Sequence, residues 1–388
     1  MERWKTYRLN QLTSKITKGT TPSNIGEDFT DEGIMYFRSE LIGKSKYVDK
    51  SSGLLFISKE TNEKLKRSQI TENDMLFSMA GIYLGKISLV GPDDYPANTN
   101  QAVAIIRFNS NEIDLNYIYY YMTQEWYNVY INSLTAQAAQ PNINLEQIGN
   151  LEVQLPSLAT QHRIASILSA YDNLIENNNK RIKILEQMAE NLYKEWFVRF
   201  RFPGHETTPF ENGIPKGWKI ERLGNVANIS TGKSNRQDAD EDGIYPFFDR
   251  SQEIKRSNIW LKDCEAIIVP GEGTIFYPRY YQGKFDLHQR CYCVEPKVKE
   301  IGKFLFYVLN MNRYYFLSVA TGATVPSLRQ NNFLSMKYLM PSIDLCKKFN
   351  QIVSKLFDQK DHLKEENQNL IKQRDLLLPR LMSGKLAV

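Results

Sequence analysis

The chain repeats its own order of motifs. Leu155-Pro156-Ser157-Leu158 opens a long patterned stretch in the middle, and Met340-Pro341-Ser342-Ile343 opens another near the end. After each Pro-Ser pair, apolar residues recur at alternating steps of four and three, the period that keeps one helical stripe facing a partner. Isolated helices with such stripes gain too little to stay ordered in water, so any fold must cover both. Further matches precede the stripes. Trp4-Lys5-Thr6-Tyr7-Arg8-Leu9 is answered by Trp218-Lys219-Ile220-Glu221-Arg222-Leu223, and Thr135-Ala136-Gln137-Ala138-Ala139-Gln140-Pro141 by Thr321-Gly322-Ala323-Thr324-Val325-Pro326. The two tryptophans lie further apart than the two Pro-Ser pairs, so the first unit is the longer. Matched ends around divergent interiors suit one scaffold that displays two surfaces, and an internally two-fold molecule suits a two-part target.

At 388 residues the chain exceeds one ordinary core. The motif order predicts an α+β architecture: a first globular unit over 1–155, a central helix over 156–202, a second unit over 203–340 and a C-terminal helix over 341–388, with pseudo-two-fold symmetry. Ile34-Met35-Tyr36-Phe37 and Ala102-Val103-Ala104-Ile105-Ile106, set off by Gly, Pro, Asn and Asp, read as strands. Asn116 to Met122 and its counterpart Lys303 to Val308 read as helices whose aromatics pack into cores rather than stack on bases. The formal charge of +5 permits nucleic-acid binding without requiring it. The four cysteines include no C-x-x-C pair, which argues against structural zinc and fits free thiols in a reducing cytoplasm. Glu2, Arg3, Lys5 and Arg8 exclude a signal peptide, and no uncharged apolar run approaches the ~20 residues of a membrane helix. A soluble cytoplasmic protein with no membrane contact is expected.

The central seam reads Ile164, Leu168, Tyr171, Ile175, Asn178, Ile182, Leu185, Ala189, Leu192, Trp196. The C-terminal seam reads Phe349, Val353, Leu356, Lys360, Leu363, Asn367, Leu370, Arg374, Leu377, Leu381. Its apolar members supply roughly 1.5–3 kcal/mol each on burial. Asn178 falls on a d position and Asn367 on an a position. Parallel in-register helices match a with a and would desolvate each amide against carbon, whereas antiparallel helices match a with d. Aligning the asparagines also sets Ile164 opposite Leu381 and Trp196 opposite Phe349. An antiparallel intrachain pair registered at Asn178 and Asn367 is expected, with hydration of both amides as the alternative. The end Trp196-Phe197-Val198-Arg199-Phe200-Arg201-Phe202 holds more rings than one seam accommodates. Trp196 and Phe200 are therefore expected to meet a globular domain or a partner subunit.

Catalytic signatures are missing. There is no G-x-G-x-x-G or Walker loop, no Asn-Pro-Pro-aromatic tetrad and no convincing nuclease carboxylate cluster. Pro270-Gly271-Glu272-Gly273-Thr274 reads as a β-turn. Glu265 and Glu272 flank an apolar strand, as acid residues at turns commonly do.

The duplicated layout resembles the specificity subunit of type I restriction-modification systems over essentially the full chain. Its carriers are Trp218-x3-Arg222-Leu223-Gly224, the mid-unit Gly85-Lys86 and Gly273-Thr274, Asn98-Thr99-Asn100-Gln101-Ala102 before a strand, and Leu155-Pro156-Ser157-Leu158-x2-Gln161-x2-Ile164. The resemblance implies a non-catalytic chain whose two target-recognition domains, held apart by an antiparallel coiled coil, each read half of a split double-stranded DNA sequence. It further implies two modification subunits that methylate adenine with S-adenosylmethionine, expected to dock along the coil and its Trp196–Phe200 end, and restriction subunits that use ATP and Mg. The second spacer departs from the pattern with Cys346-Lys347-Lys348 in place of Gln161-His162-Arg163, which weakens any dedicated role for Gln161. A scaffold that touches no DNA and a self-sufficient methyltransferase are the rival classes.

Residues suited to DNA fall into clusters, because amide and guanidinium forks match base edges while lysines and hydroxyls match phosphates. In the first unit these are Lys18, Thr20, Thr21, Arg38, Lys44, Lys46, Asn98, Asn100 and Gln101. In the second they are Lys233, Asn235, Arg236, Arg250, Ser251, Lys255, Arg256, Arg279, Tyr280, His288 and Arg290.

Overall fold

A computed structural model describes residues 4–51, 53–109, 111–135, 141–322 and 324–386. Residues 136–140 of one matched stretch, Ala323 of its counterpart, and the N-terminal Glu2 and Arg3 lie outside the described residues. The chain divides into two units, Met1–Asn178 with Glu366–Val388, and Asn179–Glu365.

The globular part of the first unit runs β1 (Lys5–Arg8), α1 (Leu9–Leu12), β2 (Thr13–Lys18), β3 (Ile34–Phe37), β4 (Leu55–Ile57), α2 (Lys59–Lys64), β5 (Asp74–Ser78), β6 (Ile87–Leu89), β7 (Ala97–Thr99) and β8 (Val103–Phe108). It continues with α3 (Leu115–Met122), α4 (Glu125–Ser133), α5 (Leu145–Gly149) and β9 (Glu152–Leu155). Strands β2-β8-β5-β6 form an antiparallel sheet, and β4-β3-β7 a smaller one in which β3 and β7 run parallel. Strand β5 is buried along its whole length. Its first residue, Asp74, tolerates this because Arg107 donates to both carboxylate oxygens at 2.7 Å, the fork geometry that best compensates a desolvated carboxylate. Asp114 starts α3 by accepting from the Tyr117 N–H at 3.0 Å. The helix then turns Tyr117, Ile118, Tyr120, Tyr121 and Met122 into the core.

The second unit repeats this order after a small hairpin, β10 (Phe210–Glu211) and β11 (Ile214–Pro215). There follow β12 (Lys219–Arg222), α7 (Leu223–Val226), β13 (Ala227–Thr231), β14 (Tyr245–Phe248), β15 (Ile254–Ser257), β16 (Lys262–Pro270), β17 (Arg279–Leu287) and β18 (Cys291–Pro296). The unit then continues through α8 (Gly302–Met311), α9 (Arg313–Val319), α10 (Gln330–Leu334) and β19 (Lys337–Met340). Its main sheet has the order β13-β18-β16-β17-β14-β15. Here one long strand, β17, pairs antiparallel with β16 and then parallel with β14. In the first unit that path is split into β6 and β7, so the same topology closes as two sheets. In both units the first and last strands pair antiparallel, Lys5 opposite Leu155 and Lys219 opposite Met340. The chain thus returns to its entry point before each long helix begins.

Those helices are α6 (Leu158–Tyr193) and α11 (Ile343–Met382). Each is opened by the serine of its Pro-Ser pair. Ser157 Oγ accepts from the Thr160 N–H at 3.4 Å and Ser342 Oγ from the Leu345 N–H at 3.3 Å, satisfying a backbone donor that the first turn leaves unpaired. Within the first unit the helices pair antiparallel. Asn178 Nδ2 donates to Asn367 Oδ1 at 3.0 Å, Arg374 pairs with Asp172 at 2.7 Å, and Ile164 and Leu381 enter one core. Within the second unit the pairing is antiparallel again, with Lys360 3.6 Å from Glu186 and the Trp196 and Phe349 rings 6.0 Å apart. Every seam residue named above is buried or half-buried. Asn178→Leu alone is expected to cost about 1–3 kcal/mol, because Asn367 Oδ1 loses this donor inside the seam, while Asn178→Leu with Asn367→Leu recovers the loss. Denaturant unfolding reads the difference, and equal losses in the single and double variants would remove the amide pair from the account.

The aromatic end of α6 meets its globular domain, and the doubt over Gln161 is corrected. A single π-helical turn over Lys194–Val198 follows α6 and lets two consecutive rings, Trp196 and Phe197, face one core. Trp196 is only 7% exposed, and Phe200 packs against Trp218 and Phe210 at ring distances of 5.4 and 6.0 Å. Trp196 is thus spent inside the second unit, while Phe200 packs half-buried at its rim. Gln161 does have a dedicated place. Fully buried, it accepts from the Asp114 N–H at 2.9 Å and donates to Glu112 O and Pro156 O at 2.8 and 3.0 Å, tying α6 to the turn before α3.

Candidate nucleic-acid interface

In the second unit, the turns after β13, β14, β16 and β17 are knitted into one platform by backbone hydrogen bonds. Lys233 N–H and Ser234 N–H donate to Leu287 O at 3.1 and 3.3 Å, and His288 N–H donates to Phe248 O at 2.9 Å. Gln289 N–H donates to Ser234 O at 2.9 Å, and Gly271 N–H to Arg290 O at 2.8 Å. Gly232 permits the closest of these crossings, since a Cβ there would lie 1.9 Å from Leu287 O. Beneath the platform the buried Asp286 carboxylate accepts from Ser234 Oγ at 2.8 Å, Ser257 Oγ at 3.1 Å and the Leu287 N–H at 2.8 Å. These three donors replace the water it has lost.

Lys233, Arg236, Arg250, Ser251, Gln289 and Arg290 stand exposed on this platform, with Asn235 half-buried among them. Gln289 Nε2 donates to Asn235 Oδ1 at 2.6 Å. Arg250 and Arg290 both pair with Glu272. Arg279 lies below, half-buried over the Phe248 ring, donating to Ser251 O at 2.8 Å and Asp249 O at 2.5 Å. Burial holds its pKa below the usual guanidinium value. Arg279 therefore shapes the turn that presents Arg250. Asp249 is buried, which pushes its pKa up, but hydrogen bonds from Lys255 and Ser251 prevail and bring it to about 2. His288 is buried with its pKa lowered, first by desolvation and then by the Arg250 charge. Its Nδ1 accepts from the Arg290 N–H at 3.0 Å.

The first unit builds the same frame with other side chains. Gly19 N–H donates to Asn100 O and Thr20 N–H to Thr99 O, both at 3.1 Å, and Met79 N–H donates to Ala102 O at 2.8 Å. A Cβ on Gly19 would sit 1.7 Å from Thr99 O. Because β3 matches β14, with Phe37 beside Thr99 as Phe248 is beside Leu287, Ser39 takes the place of Arg250. The Met79–Ala102 bond matches Gly271–Arg290, so Ala80 and Ala102 stand for Glu272 and Arg290. Lys18 and Gln101 are exposed at this end and Thr20, Thr21, Arg38 and Asn100 half-buried, with Thr21 Oγ1 donating to Gln101 Oε1 at 2.6 Å. Arg38 pairs with Glu40 at 2.7 Å and Lys44 with Asp49 at 3.1 Å.

Besides Arg279 and His288, four further sequence candidates do not lie on these surfaces as free donors. Asn98 is fully buried at the place of Asp286. Its Oδ1 accepts from Ser68 Oγ at 2.7 Å and its Nδ2 donates to Asn62 Oδ1 at 2.9 Å, so no amide edge remains for a base. Lys46 donates to Ser169 Oγ of α6 at 3.1 Å above the Tyr120 ring, and desolvation lowers its pKa. Lys255 spends its charge on Asp249 at 2.5 Å. Tyr280 donates to Glu265 Oε1 at 2.6 Å with its ring 5.3 Å from Phe357 of α11. Arg256 is exposed on β15, reaching Ile244 O at 3.2 Å. The residue most undervalued in sequence is Glu272, passed over as an ordinary turn acid. Its position between Gly271 and Gly273 was the available signal, and only the fold brings Arg250 and Arg290 to it. Among the described residues, no cluster of His, Cys, Asp or Glu is arranged to hold a metal ion, and no helix is long and apolar enough to cross a membrane.

Comparison with known proteins is consistent with the duplication. The family model described as the type I restriction modification DNA specificity domain matches twice, over residues 1–187 and 215–373. The chain is 23% identical to the type I restriction enzyme MjaIX specificity subunit of Methanocaldococcus jannaschii, covering 99% of this chain and 94% of the relative. It is 30% identical to the EcoDI specificity subunit of Escherichia coli, over 45% of this chain and 39% of that one. The crystal structure of a type I restriction-modification S subunit from M. genitalium shares the fold with a TM-score of 0.60 at 19% identity, covering 98% of this chain and 96% of that chain.

Proposed function

The chain belongs to the type I restriction modification DNA specificity family, and from that premise we propose that its two units each read one half of a split double-stranded DNA target. The observation that carries this reading is the shared platform. One backbone frame, closed at Gly19 and at Gly232, presents unlike side chains in the two units. A constant frame with variable donors is what two different half-sites require. Lys18, Thr20, Thr21 and Gln101 serve the first half-site, and Lys233, Asn235, Arg236, Arg250, Ser251 and Arg290 the second. Lysines supply sequence-independent phosphate attraction, and guanidinium and amide forks supply the reading.

The chain acts as the specificity subunit and not as the catalyst. Two modification subunits bring S-adenosylmethionine and methylate adenine at the site it selects, and restriction subunits bring ATP and Mg, all in the cytoplasm. Residues 1–155 and 203–340 act as the target-recognition domains, and 156–202 and 341–388 as the spacer. Rigid helices hold a separation that loops would not. One heptad added to both α6 and α11, keeping the seam in phase, lengthens each helix by about 10 Å at ~1.5 Å per residue. The methylated target of the assembled complex is expected to keep both half-sequences and gain about 3 base pairs between them, at ~3.4 Å per pair. Sequencing of methylated adenines reads this directly, and an unchanged gap would overturn the spacer role.

A further inference from the structure

Resting on the reading above, we infer that the second unit reads guanine at two neighbouring positions of its half-site through Arg250 and Arg290, held as a fork by Glu272. Arg250 follows β14, Glu272 follows β16 and Arg290 precedes β18. Three separate segments thus place one carboxylate between two guanidiniums. Glu272 Oε2 accepts from Arg250 Nη1 at 2.6 Å, and Oε1 accepts from Arg290 Nη1. The glutamate side chain is 14% exposed and the arginines 48% and 56%. The acid therefore sits behind, and the remaining guanidinium edges face solvent. Two donors on the two oxygens of one carboxylate are held side by side, as readers of neighbouring positions must be. A guanidinium fork matches guanine O6 and N7, the commonest base-specific contact in the major groove.

The charge balance supports the same assignment. An acid on a DNA-facing surface is repelled by phosphates unless its charge is spent, and here it is spent on two cations, leaving the trio positive. Without Glu272 the two guanidiniums repel each other, and each is free to swing to a phosphate, which gives affinity without sequence information. The first unit has Ser39, Ala80 and Ala102 at these places and builds no such fork. The guanine pair is thus confined to one half of the target.

The test uses the full chain assembled with its modification subunits and a library of split duplexes randomised in both halves, scored by sequencing methylated adenines. The wild type is expected to select adjacent guanines in one half only. Arg250→Ala removes the preference at one of these positions and Arg290→Ala at the other, by about 10-fold or more each. Glu272→Ala, with both arginines retained, relaxes both preferences together and leaves the first half-site unchanged. Glu272→Gln, which keeps an acceptor of the same shape, falls between and guards against misfolding as the cause. The fork is overturned if Glu272→Ala leaves both preferences intact, or if the arginine variants weaken all sequences alike with a shallower salt dependence. Should Lys233→Ala with Arg236→Ala and the arginine variants all leave DNA binding untouched, the platform itself is not a DNA surface, and the broader reading falls instead.

Discussion

Gly232→Ala is expected to disable the second unit while sparing the first. The new Cβ would lie 1.9 Å from Leu287 O, 2.3 Å from Leu287 C and 2.5 Å from His288 O. All three are backbone atoms, so no rotamer change relieves the clash. The turn must move, and the bonds from Lys233 N–H and Ser234 N–H to Leu287 O break with it. Overpacking of this kind costs about 3 kcal/mol. In amide exchange, Lys233, Ser234 and Gln289 should lose protection while Gly19 and Thr20 keep theirs, and methylation should lose discrimination at one half-site. Unchanged exchange at Lys233 and Ser234 would show that the crossing does not organise the platform. The reciprocal change, Gly19→Ala, should exchange the roles of the two half-sites.

Trp196→Ala is expected to lower the stability of the second unit by about 3–5 kcal/mol, the loss typical of a large aromatic removed from a core. Its indole lies 6.0 Å from the Phe349 ring and 6.1 Å from Phe197, whose own ring meets Phe304 at 4.8 Å. Truncation therefore opens a hole where the end of α6, the start of α11 and α8 converge. Phe200→Ala should cost less, because Phe200 is half-buried at the rim. Denaturant unfolding with unit-resolved exchange separates the losses. A Trp196→Ala chain of undiminished stability that merely assembles poorly with modification subunits would restore the docking role that burial argues against.

The stripes of α6 and α11 were legible in sequence because helical periodicity records burial directly. So was their antiparallel sense, because a polar residue on a d position and another on an a position can meet only in that orientation. The frame of each unit was legible in the matched tryptophans and Pro-Ser pairs, which fold as paired end strands and helix caps. The site was legible only in part. Donor chemistry marked the segments around Lys18, Lys233, Arg250 and Arg290, but Asn98 and Gln101, three residues apart, part company: one amide is sealed between Ser68 and Asn62, the other faces solvent.

Local periodicity, capping and the duplicated motif order sufficed for two mixed units and two striped helices, because each of these depends on neighbours a few residues away. Which polar groups face outward depends on partners far along the chain. Tyr280 is drawn inward by Glu265 and Phe357, Lys46 by Ser169, and Arg250 and Arg290 are gathered by Glu272. Burial and charge pairing act through space, so only the folded chain could assign them.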